Sequence, residues 1–252
     1  MRALYHAVKS EGYLFLHSKL VGLHIGVPLL GITLFCSYYA YAPWADTDKI
    51  LMYLQAVVLA FPLLIAIIIG MSYDDEKEAA QFSRMLTAPY SRRVVHFGKL
   101  AMLTIMGMLA AFVAIVGFGM ISKRMGNHAL SMVRYLEMFG VILACHLCLY
   151  VFQYVVSFEF GKGSGLALGI FNTLMSALMY TGLGDRIWYF LPCAWGIRMV
   201  SYLTQYSVYH RVNALIKTEM IKGCGMIGLI TILSLVGFNL WASKWQGIRA
   251  QD

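Results

Sequence analysis

Charge is scarce in this sequence. Of 252 residues only 13% are Asp, Glu, Lys or Arg, about half the roughly 25% usual in soluble domains. Acidic residues are the scarcer sign, 12 against 20 Lys and Arg. A soluble core of this size does not need so many apolar residues, so a water-soluble domain is excluded. Cysteine is sparse and odd in number: Cys36, Cys145, Cys148, Cys193 and Cys224. Scattered along apolar stretches, these five argue against a disulfide framework. Motifs are missing as well. There is no phosphate-cradling GxxxxGK[ST] loop, no HExxH, and no adjacent glutamate pair with an arginine of the kind CAAX-type membrane proteases carry. Ser, His and Asp form no assignable triad. No stripe of Lys and Arg interleaved with aromatics points to nucleic acid.

What the chain has is apolar length. Sixty per cent of it is hydrophobic and its mean hydropathy is +0.69. Runs of about 20 apolar residues read as membrane-spanning helices. Six such runs are present: Leu20–Tyr41, Ile50–Tyr73, Phe97–Ile121, Met132–Phe158, Gly163–Gly182 and Gly223–Ala242. The expected fold is all-α and polytopic, one six-helix membrane domain over residues 1–252. The basic excess then reflects loops that face anionic lipid.

The first 19 residues lack the compact apolar core and small-residue cleavage site of a signal peptide. Leu4, Val8 and Phe15, with Tyr5 and Gly12, fall near one helical face, while Arg2, Lys9 and Lys19 suit headgroups. An interfacial helix leading into the first span is the reading. Three basic residues before span one, and Asp46 and Asp48 after it, place both termini in the cytoplasm, although basic residues overall favour that side only slightly. Tyr38, Tyr39, Tyr41 and Trp44 read as an aromatic belt at the outer end of span one, Trp241 and Trp245 as one at the inner end of span six.

Polar groups inside the spans are few. His24, His146 and Glu137 are either satisfied by neighbours or part of a transport path. Cys145 and Cys148 have a metal-like spacing around His146, but no second ligand pair lies near, so core packing is the reading and no metal is assigned. The glycine-rich Gly161–Gly165 reads as a tight turn. Pro28 and Pro62 read as kinks within spans.

Two polar segments stand out. Residues 74–93, DDEKEAAQFSRMLTAPYSRR, lie between spans two and three. Ala79, Phe82, Met85 and Leu86 recur at helical spacing, with Glu76, Lys77, Gln81 and Arg84 on other faces and Pro89 as the stop. A solvated loop helix explains the amphipathicity; a helix docked into a partner's groove also explains the acidic 74–78 cluster. Residues 185–222 follow span five. Their RIWYFLPCAWGIRM stretch is too apolar for a free loop and too interrupted by Pro192 and Gly196 to span, so a re-entrant or interfacial segment is expected.

In this order the features resemble the permease subunits of ABC-2-type ABC transporters, and more narrowly those of lantibiotic self-immunity transporters, the LanE/LanG group in its MutG-like branch. The resemblance covers essentially the whole chain. It rests on His24-Ile25-Gly26-Val27-Pro28 and Tyr38-Tyr39-Ala40-Tyr41 in span one and Phe61-Pro62-Leu63-Leu64 in span two. Glu78-Ala79-Ala80-Gln81-Phe82 with Met85-Leu86, and Ile187-Trp188-Tyr189-Phe190-Leu191-Pro192, complete it. Ala80 departs from the pattern, where glycine is expected.

The resemblance implies an N-terminal elbow helix, a coupling helix within 74–93, and pairing with a second permease subunit and an ATPase dimer that binds ATP and Mg. This chain itself would hold no cofactor and do no covalent chemistry. By the same resemblance Glu76, Glu78, Phe82, Met85 and Leu86 would meet the ATPase. The substrate would be a cationic lantibiotic-type peptide, expelled from a bacterial cytoplasmic membrane. For residues 185–222 two readings stand: Trp188, Tyr189 and Trp195 anchor the segment in lipid, or they contact the peptide's apolar face while Glu137 and Asp185 attract its charge. Rival functions are an ABC-2 permease for a drug, lipid or polysaccharide, an ion-coupled carrier, and an intramembrane enzyme.

Overall fold

A computed structural model describes residues 2–79, 81–209 and 214–247. Every regular element among them is helical. In chain order they are α1 (Arg2–Leu16), α2 (Leu20–Tyr39), α3 (Asp46–Glu78), the single turn α4 (Ser83–Leu86), α5 (Arg92–Phe112), α6 (Phe118–Arg124), α7 (Met132–Phe160), α8 (Lys162–Tyr180), α9 (Pro192–Tyr209) and α10 (Ala214–Lys244). Six helices are long and apolar enough to cross a membrane: α2, α3, α5 with α6, α7, α8 and α10. Short connections run them antiparallel, so α1 and residues 79–91 share one end of the bundle, here the α1 end.

α3 has 33 residues, about 50 Å at 1.5 Å per residue, against a hydrocarbon core of about 30 Å. It therefore overshoots the bilayer. Asp74 to Glu78, expected in the following segment, are its last turn, and Asp74 pairs with Lys162 at the start of α8. α5 and α6 form one rod joined by a π-helical turn, Val113–Gly117. Such a turn displaces backbone hydrogen bonds. The Tyr53 hydroxyl donates to the Ala114 carbonyl there (2.8 Å), and its ring stacks on Phe118 at 3.7 Å. Pro28 and Pro62 both lie inside their helices.

The segment after α8 is more regular than its prolines and glycines suggest. Two 3₁₀ turns, Gly182–Gly184 and Trp188–Phe190, lead into α9. Pro192 is the first residue of α9, where its missing N–H costs nothing. Gly196 faces α3 and α7 so closely that a β-carbon there would stand 2.6 Å from Val58 and 2.7 Å from His146. Small residues permit such approaches. Gly196 thus sits opposite the middle of α7, while the Arg134 guanidinium, near the start of α7, lies 5.8 Å over the Tyr206 ring. The chain therefore turns back into the bundle after α8, and α9 climbs from mid-depth to the end opposite α1. Residues 214–222, assigned above to the re-entrant segment, belong instead to α10.

Burial redistributes the aromatic belts. Tyr41 is 75% exposed and Tyr38 40%, but Tyr39 is buried. Trp245 is buried too, and its indole N–H donates to the Phe158 carbonyl (3.2 Å), so it is a core residue rather than a lipid anchor.

Arg198 holds the re-entrant turn. Its guanidinium donates to the carbonyls of Met179 (2.7 Å) and Thr181 (2.5 Å) and to Asp185 Oδ1 (2.9 Å). Two carbonyls at the end of α8 are thereby satisfied. Arg198→Leu is expected to lower unfolding stability by about 1–3 kcal/mol for each buried carbonyl stranded. Asp185 is largely exposed, so Asp185→Asn should cost within about 1 kcal/mol. Thermal unfolding of both variants in detergent measures the contrast.

Candidate functional site

Four charges converge at the α1 end. Lys99, two turns into α5, places Nζ 2.8 Å from Glu11 Oε2 on α1 and 2.6 Å from Glu76 Oε1 on α3, with Ser72 Oγ at 3.5 Å. Arg84 on α4 closes the circuit. Its Nη2 lies 3.2 Å from Glu11 Oε1 and also pairs with Glu76, and its Nε is 3.3 Å from Glu76 Oε2. The Lys99 and Glu76 side chains are only 6% and 2% exposed. Charges so deep are tolerable only when paired, and here two acids alternate with two bases. Four elements are tied through one centre. A cavity of about 340 Å³ adjoins it, lined also by His17, Ser18 and Asp75.

Residues 81–91 do not continue α3 as one amphipathic helix. α3 ends at Glu78, and Gln81 and Phe82 adopt left-handed backbone, φ 52° and 64°. Bulky residues rarely do so, at a cost of about 1–3 kcal/mol. The Phe82 N–H reaches back to the Glu76 carbonyl (3.1 Å). Its ring enters an aromatic nest 5.3 Å from Tyr73 and 5.8 Å from Trp245. Arg92 Nη1 donates to the Trp245 carbonyl (2.9 Å), so residues after α10 brace the segment as well.

This revises the role expected of three of the five coupling residues. Glu76, Phe82 and Met85 are each 3% exposed, Glu76 held on α3 by Lys99 and Arg84 and the other two turned inward after the left-handed pair, so they present nothing to a partner here. Glu78 and Leu86 remain outside, with Lys77, Gln81, Thr87 and Tyr90. The apolar spacing from 79 to 86 was read as one face; it spans a backbone break. Glu11 and Lys99 were not singled out. Lys99 lay within the apolar run from Phe97, and an ionisable residue there is the signal that would have found it. Glu11 sits one turn before Phe15, beside the apolar face of α1.

At the opposite end the residues expected to touch substrate separate. Trp188 and Trp195 are fully buried; their indoles donate to Glu219 (3.2 Å) and to the Tyr189 carbonyl (2.9 Å). A β-carbon on Gly223 would stand 2.3 Å from the Trp188 ring, so α10 is seated on that indole. Both tryptophans are internal props, neither lipid anchors nor peptide contacts in this state, because apolar neighbours on α7, α9 and α10 enclose them. Tyr189 is half-buried and Asp185 exposed. Glu137 is exposed and bonds Arg134 at 2.5 Å. Glu137 and Asp185 pair with different arginines and form no common site.

Within the spans, His24 and His146 each bond a carbonyl one turn back, Leu20 (2.8 Å) and Ile142 (2.7 Å). Cys145 and Cys148 are buried beside Trp188. Among the described residues, no group of three or more His, Cys, Asp or Glu is placed to hold a metal ion.

The charged centre has a measurable signature. Lys99→Met leaves two buried carboxylates short of a cation, and about 3–5 kcal/mol of stability should be lost. Adding Glu11→Gln and Glu76→Gln removes the stranded charges and should recover most of that loss. Thermal unfolding of the single and triple variants tests the pairing; equal destabilisation of both would contradict it.

No curated protein matches the chain. Residues 15–179, well over half of it, match the ABC-2 family transporter protein family. The match runs from the end of α1 through α8 and takes in the kinked segment and three of the four charges. With six helices long and apolar enough to span, the chain belongs to the ABC-2 family of transporter proteins, the membrane permeases of ABC transporters.

Proposed function

We propose that this permease serves an ATP-driven exporter that clears cationic lantibiotic-type peptides from a bacterial cytoplasmic membrane, conferring self-immunity or resistance. Its family implies an ABC ATPase partner. In this reading an ATPase dimer binds ATP and Mg, a second permease completes the pore, and the α1 end with both termini is cytoplasmic. The observation that carries the reading is the segment between α3 and α5. It is held rigidly to α1, α3 and α5 by the Glu11–Glu76–Arg84–Lys99 centre, yet presents Glu78 and Leu86 outward. A segment so fixed transmits a push instead of absorbing it.

Glu78 and Leu86 are assigned to the ATPase contact. Glu76, Phe82 and Met85 are assigned to anchoring the lever. At the far end, exposed Asp185 and Glu137 offer charge, and Tyr189 with exposed Phe190 offers apolar surface to an arriving peptide.

Leu86→Asp should weaken capture of the ATPase by about 2 kcal/mol, roughly 30-fold, and abolish peptide protection with unfolding temperature unchanged. Phe82→Asp should instead destabilise the chain itself. Co-purification from the native cell, followed by inhibitory-concentration assays with a lantibiotic in cells expressing the chain and its partners, checks both. Full ATPase capture by Leu86→Asp would remove the lever. Unaltered lantibiotic potency, with a drug or lipid probe affected instead, would replace the substrate.

A further inference from the structure

Span one does not close onto span two. Between α2, α3, α5 and α7 lies a cavity of about 180 Å³, lined by Leu23, Val27 and Gly31 on α2, and by Val57, Ala60 and Leu64 on α3. Ala110 and Ala111 form part of its back wall. Small residues in membrane helices ordinarily let backbones approach. Here they keep space open: a β-carbon built on Gly31 meets nothing within 4 Å. An apolar void forfeits dispersion contacts along its whole lining and does not hold water.

Three features name the occupant. The mouth lies at exposed Ala60 and half-buried Val57 and Leu64, on the same bundle surface as the exposed Leu30 and Leu34 of α2, so the cavity is continuous with the lipid-facing wall. Leu23 and Phe35 mark its ends on α2, about 18 Å apart at 1.5 Å per residue, close to the roughly 15 Å hydrocarbon depth of one leaflet. At its α1 end stands His24, 8% exposed. The His24 Nδ1–H donates to the Leu20 carbonyl, which leaves Nε2 as an acceptor, buried and without a protein partner. The Tyr53 hydroxyl at the other end is already engaged with Ala114.

We infer that this crevice is a lipid site: it takes one acyl chain from the leaflet on the α1 side, with a hydroxyl or ammonium of the lipid head donating to His24 Nε2. The chain restores the missing contacts and the head satisfies the orphaned nitrogen. The site lies within one subunit and is independent of the peptide reading.

The test is photolabelling of the purified chain, with whatever partners it retains, in phosphatidylglycerol vesicles. A small share of that lipid carries a diazirine near the end of one acyl chain. Peptide mapping should show adducts on Val57, Leu64 and Ala110 as strong as those on Leu30 and Leu34. Gly31→Leu, which fills the void, should cut crevice adducts about tenfold while leaving Leu30 and Leu34 labelled. His24→Leu should lower labelling by the phospholipid but not by a diazirine-bearing hydrocarbon without a head. Ala60→Phe at the mouth serves if Gly31→Leu does not fold. A wild-type map with Leu30 and Leu34 labelled and the crevice blank would overturn the site. Crevice labelling that neither filling variant reduces would do the same. Equal response of lipid and hydrocarbon to His24→Leu would remove the head contact.

Discussion

The Lys99 ammonium is the interaction on which the α1 end depends. A cation that deep cannot stand alone, since desolvating it costs several kcal/mol and only close carboxylates offset that. Glu11 and Glu76 supply them from two different helices, and each then needs Arg84 as well. Local helix preferences would let residues 79–91 swing freely after α3. The ion cluster opposes it, because a swing of α4 would leave both carboxylates with Lys99 as their shared cation. The left-handed strain at Gln81 and Phe82 is supportable for the same reason. Phe82 is held by aromatic packing on one side, and Arg84 by charge two residues on.

The opposite end has a parallel construction with a different balance. Arg198 is buried, but it serves mainly neutral carbonyls, and its one acidic partner is exposed. The centre at the α1 end is therefore a pairing of charges, whereas the re-entrant turn is a pairing of backbone. Stranded carbonyls have no alternative. The re-entrant turn is thus held through its backbone, with Trp188 and Trp195 as its fillers.

Much of the fold was legible because hydrocarbon imposes a simple rule: spans must be long, apolar and helical. Each span found by its apolar length is a helix, as is most of the segment before them. The misses fall where tertiary contacts decide. Asp74 to Glu78 looked like the start of a loop, yet they extend α3, since Lys162 and Lys99 lie across from them. No glycine or proline marks the break at Gln81, so periodicity ran through it unseen. Trp188 and Trp195 read as interfacial because tryptophan favours that zone, but whether an indole meets lipid or a glycine on α10 depends on a residue 35 positions further on, Gly223. Lys99 was hidden by composition, one cation at the edge of an apolar run, with its partners distant in sequence on α1 and α3.

Two packed helix pairs meet at the charged centre. α3 has its most extensive contacts with α8, and α1 has its own with α5. Glu76 belongs to the first group, Glu11 and Lys99 to the second, and Arg84 bridges them. A push on the exposed face of α4 moves Arg84 relative to both acids at once. Displacement toward Glu11 leaves Glu76 with Lys99 alone, and displacement toward Glu76 does the converse. In either case each acid keeps one cation. α2 touches α3 only sparsely and leaves the crevice between them, so the first span need not be carried with the second. Under the proposed coupling role, a force at α4 would fall between the α3–α8 and α1–α5 pairs, with the ion cluster as the joint.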